Sequence, residues 1–395
     1  MVVAAVVVAA LVAGVAVQLT RPVPSPAPVL VLHPAVTAPG TAAAIPWPAN
    51  GQAAFAVPAL GVVHTSATET PVPIASLTKM MTAYLVLLAH PLDPAAQGPT
   101  VTLTAADKAE ADADRAAGDS SVEVEPNEQL TERQLLDGLL VPSADNLADV
   151  LATWVSGSTS AFVATMNTTA ASLGMHDTHY ADPSGLDPNS VSTASDQLHL
   201  ATEAMTIPAF AAAVDQKTTT LPVAGTVTNS VRSIGVDGVV GVKSGFTDAA
   251  GGCLVLAATR TIGGRTVLVF AAVTGQTGAD PHASADAAAR AMLDAAALEA
   301  VPVAGARTVV AEERAPWGAT APMVPAKGAV VALAWPGDTL SLALRPAATG
   351  GPKGHGARTG TAVLVVRDGT EVLSVPVAAT RPVPGPSLLW RLVHG

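Results

Sequence analysis

The 395-residue sequence holds a single cysteine, Cys253. No disulfide can close within the chain, and no thiolate-rich metal site can form. Beside Gly252 and the apolar run 254–258, Cys253 reads as a small buried strand residue. Cations are also scarce: 20 Lys and Arg stand against 31 Asp and Glu, for a net charge of −11. No Lys/Arg-rich run occurs, which argues against nucleic-acid binding, since that needs clustered cations to displace counterions. Aromatics are only 3% of residues, so the apolar content rests on Ala and Val. The H-E-x-x-H pattern is missing. His176 and His179 have no third ligand cluster and read as a turn ahead of Tyr180, so no metal is expected. Glu123, Glu125 and Glu128 read as solvated surface.

What is present begins with an uninterrupted apolar run at residues 2–17, and the first charge is Arg21. That run is at the short end of what spans a bilayer, and it also fits the apolar region of a signal peptide. Residues 1–20 are therefore expected to export or anchor the chain outside the cytoplasm. Pro22, Pro24, Pro26, Pro28, Pro34, Pro39, Pro46 and Pro48 follow, so residues 21–50 are expected to form an extended spacer.

Beyond it, residues 52–63 read as a strand pair broken near Pro58 and Gly61. Leu77, Met80, Met81, Tyr84, Leu85 and Leu88 recur at helical spacing and predict a helix over 75–89. Residues 105–117 read as a polar surface helix or loop. Further helices are expected at 131–140, 146–155, 160–173 and 193–205. Strands follow at 238–243, 253–259 and 265–273, the last two joined through Gly263-Gly264. An Ala-rich helix is expected at 283–300. Strands flanking a helical middle give an α+β arrangement with a helical subdomain over 51–300. Residues 301–395 read as a small β domain, with strands at 329–335, 340–344, 362–367 and 372–377 and a turn at Asp368-Gly369. Residues 388–393 are too short to span a membrane.

Three short patterns carry chemistry. In Ser76-Leu77-Thr78-Lys79, a three-residue step along a helix puts Ser76 and Lys79 on one side. A serine hydroxyl needs a base to take its proton, and a lysine serves only where its surroundings disfavour its charge. Ser143-Ala144-Asp145-Asn146 lies in a loop after Pro142, and Lys243-Ser244-Gly245 ends a predicted strand. Each pattern alone is weak. Their order, S-x-x-K, then S-x-N or S-D-N, then K-[TS]-G, is the signature of penicillin-binding proteins and related β-lactamases.

The chain resembles the D-alanyl-D-alanine carboxypeptidases of the low-molecular-weight penicillin-binding class, peptidase family S11. The segment from Pro73 to Ala83 is similar to the family's nucleophile segment nearly residue for residue. The stretch from Tyr180 to Pro188 looks like the loop after its second motif, and Gly241 to Asp248 resembles its third. The resemblance covers 52–300. It implies the penicillin-binding fold and removal of the terminal D-alanine from peptidoglycan stem pentapeptides, with β-lactams as inhibitors and no cofactor. It implies an acyl-enzyme on Ser76, Lys79 as base, and Ser143 relaying a proton to the leaving D-alanine. It further implies that Lys243 supplies positive potential and that Ser244 and Thr247 bind the substrate carboxylate or peptide strand. The N–H groups of Ser76 and Phe246 would form the oxyanion hole, with Gly245 completing the third motif.

Two departures stand out. The family's K-T-G is K-S-G here, which keeps the hydroxyl. The third residue of S-x-N is Asp145, followed by Asn146. Either Asp145 enters the site or a one-residue shift brings Asn146 in. Because an uncompensated carboxylate there is costly, Asn146 is the expected occupant. The alternatives are a β-lactamase on the same fold, for which no E-x-x-L-N segment is found, and a non-catalytic wall-binding relative.

Overall fold

Val2–Thr20 form helix α1. No part of its apolar window is buried, and its mean hydropathy is 2.4. At 1.5 Å per residue its length is about 28 Å, close to the hydrocarbon thickness of a bilayer. The computed structural model describes residues 2–41, 44–66, 69–262, 264–296, 298–346, 361–368 and 370–394. They fall into two units, Ala43–Ala297 and Met1–Ala42 with Leu298–Gly395.

The first unit is built on a five-stranded antiparallel sheet. Its order is Val239–Thr247, Gly251–Ile262, Arg265–Gln276, Gln52–Val57 and Val62–Thr65. The inner strands are apolar without alternation because helices cover both faces. Residues 253–258 and 269–273 are buried accordingly. The helices are α2 (Lys79–Ala89), α3 (Ala105–Ala117), α4 (Glu132–Leu140), α5 (Asp145–Ser156), α6 (Thr159–Ser172), α7 (Ala194–Ala204), α8 (Pro208–Val214) and α9 (Pro281–Asp294). Helix α7 packs on strands Gln52–Val57 and Arg265–Gln276, and α9 on the two longest strands. Helix α2 is apolar nearly all round and runs through the middle of the helical subdomain, against α4, α5, α7 and α8. Thr104 caps α3 and Thr131 caps α4, each through a reciprocal capping box.

The second unit carries a seven-stranded sheet ordered Ala27–Leu30, Ala311–Arg314, Thr320–Pro325, Thr370–Ala379, Thr361–Asp368, Thr339–Pro346 and Ala35–Thr37. Val301, Val310, Met323, Leu340, Leu364 and Val377 are among its core residues. A last helix, α10, spans Leu388–His394.

Three expectations change. Residues 21–50 are not only a spacer: Ala27–Leu30 pairs with Ala311–Arg314, and Ala35–Thr37 with Thr339–Ser341. Both are edge strands, where a proline such as Pro28 costs no ladder bond if its nitrogen faces outward. The helix expected over 283–300 stops at Asp294, and Glu299–Ala304 is a strand paired with Val330–Ala334. There the buried Val301 and Val303 alternate with the exposed Pro302, and a proline nitrogen cannot donate within a helix. Helix α8 and the hairpin Thr218–Leu221 with Gly225–Thr228 arise where no element was expected. Gly263 and Gly369, the expected turn glycines, lie outside the described residues.

Candidate active site

Ser76 lies not in α2 but in the tight 3-10 turn Ala75–Thr78 that feeds it. Ala75 holds a left-handed φ of 47°, a conformation that costs a non-glycine residue about 1–3 kcal/mol. The turn sets Ser76 just ahead of Lys79. Lys79 is fully buried, and its Nζ donates to Ser76 Oγ at 2.8 Å, Asp145 Oδ1 at 2.5 Å and Ser184 O at 2.9 Å. Three acceptors for three N–H bonds is the coordination of an ammonium.

The third acceptor comes from the 180–188 loop. Asp182 Oδ2 accepts from Ser184 Oγ at 2.7 Å and from the N–H groups of Gly185 and Leu186 at 2.8 Å each. Its other oxygen accepts from Ser190 Oγ at 2.5 Å. Thr82 Oγ1 ties the loop to α2 by donating to Pro183 O at 2.6 Å. Gly185 sits at φ +88°, and a Cβ there would lie 1.9 Å from Ala75 O. Only glycine lets the loop lie on the nucleophile's turn.

Ser143 follows α4 with φ 70°. It is buried, and its Oγ has no hydrogen-bond partner among the described residues. That backbone turn starts α5 at Asp145, which is 2% exposed. Here the expectation for Asn146 is corrected. Asp145 faces Lys79, while Asn146 accepts from Val122 N at 3.1 Å and donates to Val122 O at 3.2 Å. Successive helical side chains diverge by about 100°, so only one of the two can face the site. The cost of the buried carboxylate is met by Lys79 across a 2.5 Å contact.

Lys243 is fully buried as well. Its Nζ donates to Ser244 O at 2.8 Å and Ser230 Oγ at 3.4 Å, and Ser244 Oγ donates to Ser230 Oγ at 2.9 Å. Burial, with the positive Lys79 nearby, holds the Lys243 ammonium well below the ordinary lysine range, against the pull of Asp145. Burial pushes the Asp145 carboxyl up, opposed by Lys79 and Lys243. Gly245 lets its strand press on the nucleophile's turn, because a Cβ there would be 2.8 Å from Ser76 N. Phe246 is exposed, its ring tilted against His282 at 5.6 Å. Thr247 Oγ1 accepts from Ala250 N at 3.1 Å.

The structure thus gathers Ser76, Lys79 and Asp145 into one hydrogen-bonded set and places Gly245 on the same turn. Lys243 and Ser244 form a second set with Ser230, a residue that no sequence pattern marked. Ser184 was also missed, because it acts through its backbone oxygen. Cys253 is buried in strand Gly251–Ile262, and burial pushes its thiol up to about 12. Among the described residues no group of three His, Cys, Asp or Glu is placed to hold a metal ion.

The model of peptidase family S11, D-alanyl-D-alanine carboxypeptidase, matches residues 60–274. The chain belongs to this family. It is 34% identical over 224 residues to a D-alanyl-D-alanine carboxypeptidase of Streptomyces sp. (strain K15), covering 52% of this chain and 74% of that protein. The crystal structure of the Streptomyces K15 DD-transpeptidase superposes with a TM-score of 0.56 at 29% identity, over 65% of this chain and 98% of that one. DacD, a D-alanyl-D-alanine carboxypeptidase from Francisella tularensis, shares the fold over 90% of this chain and 96% of its own, with a TM-score of 0.58 at 21% identity. The family's members are serine hydrolases that work through an acyl-enzyme, and the α+β penicillin-binding fold is the one found in this chain.

Proposed function

We propose that Ser76 is the nucleophile of a D,D-carboxypeptidase that removes the terminal D-alanine from peptidoglycan stem pentapeptides. The observation that carries this reading is the 2.8 Å contact between Lys79 Nζ and Ser76 Oγ at the head of a buried helix. Lys79, once neutral, takes the Ser76 Oγ proton as that oxygen attacks the carbonyl of the penultimate D-alanine. The N–H groups of Ser76 and Phe246 hold the resulting oxyanion, each worth about 3–4 kcal/mol in barrier. The C–N bond then breaks, and the leaving amine takes the proton from Lys79 through Ser143 Oγ. Water hydrolyses the ester and restores Ser76.

Lys243, Ser244 and Thr247 receive the substrate's terminal carboxylate, and Gly245 keeps that strand against the nucleophile. A carboxylate entering beside Lys243 favours its charged form, so substrate brings its own counter-charge into place. Asp145 orients Lys79 and biases it towards ammonium, while Asn146 braces the start of α5. No cofactor takes part in these steps. The same Asp145 contact is what favours the non-catalytic alternative.

Residues 43–297 form the catalytic domain in this reading, and residues 1–42 with 298–395 a β-rich unit. Helix α1 holds the chain at the outer face of the cell membrane, where β-lactams and stem peptides reach Ser76. Its length of about 28 Å and the lack of any burial support a spanning role.

A fluorescent penicillin, with Ser76→Ala as control, and release of free D-alanine from a pentapeptide test the assignment. A stable label with D-alanine release supports it. Rapid penicillin turnover without D-alanine would assign a β-lactamase, and no label at all a non-catalytic relative.

A further inference from the structure

The two buried lysines of the site are faced differently. Lys79 Nζ has the Asp145 carboxylate among its three acceptors. Among the described residues Lys243 Nζ makes no ion pair and meets two neutral oxygens, Ser244 O at 2.8 Å and Ser230 Oγ at 3.4 Å. Asp145, whose charge it feels, is already held by Lys79 at 2.5 Å. His282, in the first turn of α9, feels Lys243 and Arg232 as like charges, and Arg232 is itself paired with Asp280 at 2.6 Å. None of these groups steadies a charge at Lys243, and an ammonium buried without a counter-charge is costly. Burial and the positive Lys79 accordingly hold the Lys243 ammonium well below the ordinary lysine range.

A neutral amine has a lone pair and accepts where an ammonium only donates. Ser244 Oγ donates to Ser230 Oγ at 2.9 Å. The Ser230 hydrogen is thus left for another partner, and across the 3.4 Å to Lys243 Nζ either atom can donate. Ser230 is braced from behind. Its N–H donates to Val141 O at 2.8 Å, and Asn229 Nδ2 donates to Gln216 O at 2.7 Å. Ser230 and Ser244 open onto a recess also lined by Arg232, His282 and Asp286, and Asp286 is bonded to Ser233 Oγ at 2.6 Å.

We propose that Ser230 is a positioning residue for Lys243, the middle of a hydroxyl relay that reverses when a substrate carboxylate arrives, so that binding takes up a proton at Lys243. The proposal rests on the reading of Lys243, Ser244 and Thr247 as the carboxylate seat. In the free enzyme donation runs from Ser244 to Ser230 to the Lys243 amine. With a carboxylate in the recess, a solvent proton adds to the amine lone pair. The ammonium then donates to Ser230, Ser230 to Ser244, and Ser244 to the carboxylate. Each hydroxyl keeps one hydrogen, and no other bond forms or breaks. A substrate whose end carries no charge leaves the relay in its resting order, so the relay favours a free terminal carboxylate.

Benzylpenicillin carries such a carboxylate, and its acylation of the full chain allows the proton to be counted with a pH-indicator dye in weakly buffered, mildly alkaline solution. The Ser76 proton passes to the β-lactam nitrogen, and Asp145 holds Lys79 in one state before and after, so neither step alters the count. Uptake of about one proton per acyl-enzyme is expected of the parent chain. Ser230→Ala should still be acylated but lose the uptake, and Ser230→Thr should restore it. Full acylation of the parent without uptake overturns the proposal, because Lys243 is then charged beforehand. Undiminished uptake in Ser230→Ala overturns the relay. Loss of uptake in His282→Gln would assign the proton to His282 and overturn it too. A parent chain that is not acylated at all overturns the serine-nucleophile reading, and the proposal with it. The parent count decides whether binding is linked to a proton, whatever the fold of the variants.

Discussion

Replacing Asp145 by Asn removes the carboxylate bonded to Lys79 at 2.5 Å and leaves a side chain of the same shape. The two groups are 0% and 3% exposed at their side chains, so solvent screens their attraction little. Breaking a buried ion pair of this kind typically costs about 3–5 kcal/mol. That free energy favours the protonated pair, in which Lys79 cannot act as a base. Without it, the base-competent form becomes easier to reach by the same amount. At 1.36 kcal/mol per factor of ten, the lower figure raises the acylation rate on the acid side by about a hundredfold. The sign follows from the charge: with the anion gone, the ammonium loses its counter-charge and the base-competent form gains, so the acid limb moves down. The Asp145→Asn enzyme should therefore acylate faster than the parent on the acid side and converge with it on the alkaline plateau. Stopped-flow acylation by a chromogenic cephalosporin between about pH 5 and 9 reads both limbs. An acid limb that stays in place would refute the reasoning. So would loss of acylation at every pH, which would make Asp145 the acceptor of the Lys79 proton.

Asn146→Ala removes two bonds to Val122 and should cost about 1–3 kcal/mol of stability in denaturant melts. The pH profile of acylation in the folded protein should stay unchanged, in contrast to Asp145→Asn. Gly185→Ala would drive a Cβ into Ala75 O, so penicillin labelling of Ser76 should fall steeply and thermal stability should drop with it. Glu132 is 1% exposed, its Oε1 has no partner among the described residues, and burial raises its carboxyl to about 7. A carboxyl raised on folding loses stability as pH climbs from its unfolded value through its folded one, here from 4.5 to about 7, by about 3 kcal/mol at most. Glu132→Gln should accordingly raise the melting temperature at pH near 8 and leave it nearly unchanged at pH near 4.

Helix α2 and its motif were legible because an apolar repeat and a three-residue step are local properties. The same holds for the strands around Cys253 and Val269, whose continuous apolar runs announce a sheet covered on both faces. The choice between Asp145 and Asn146 was not legible, because it depends on one residue of helical phase. That phase is set by the left-handed turn at Ser143, a backbone state its side chain does not advertise. Ser184 escaped notice because its carbonyl, common to every residue, is the part that meets Lys79. Ser230 reaches Lys243 and Ser244 only through the fold. The edge strands at Ala27–Leu30 and Ala35–Thr37 were hidden by prolines that disfavour most strands but not an outer one. Around Ala300, abundant alanine favoured a helix, and the buried alternation of Val301 and Val303 overrode it.

The central claim is that Ser76 Oγ carries the acyl group. Mass spectrometry of the chain after reaction with benzylpenicillin, followed by peptide mapping, tests it most directly. A single penicilloyl group on the peptide containing Ser76, absent from Ser76→Ala, is the predicted result. An adduct on another residue, or undiminished D-alanine release from the Ser76→Ala chain, would contradict it.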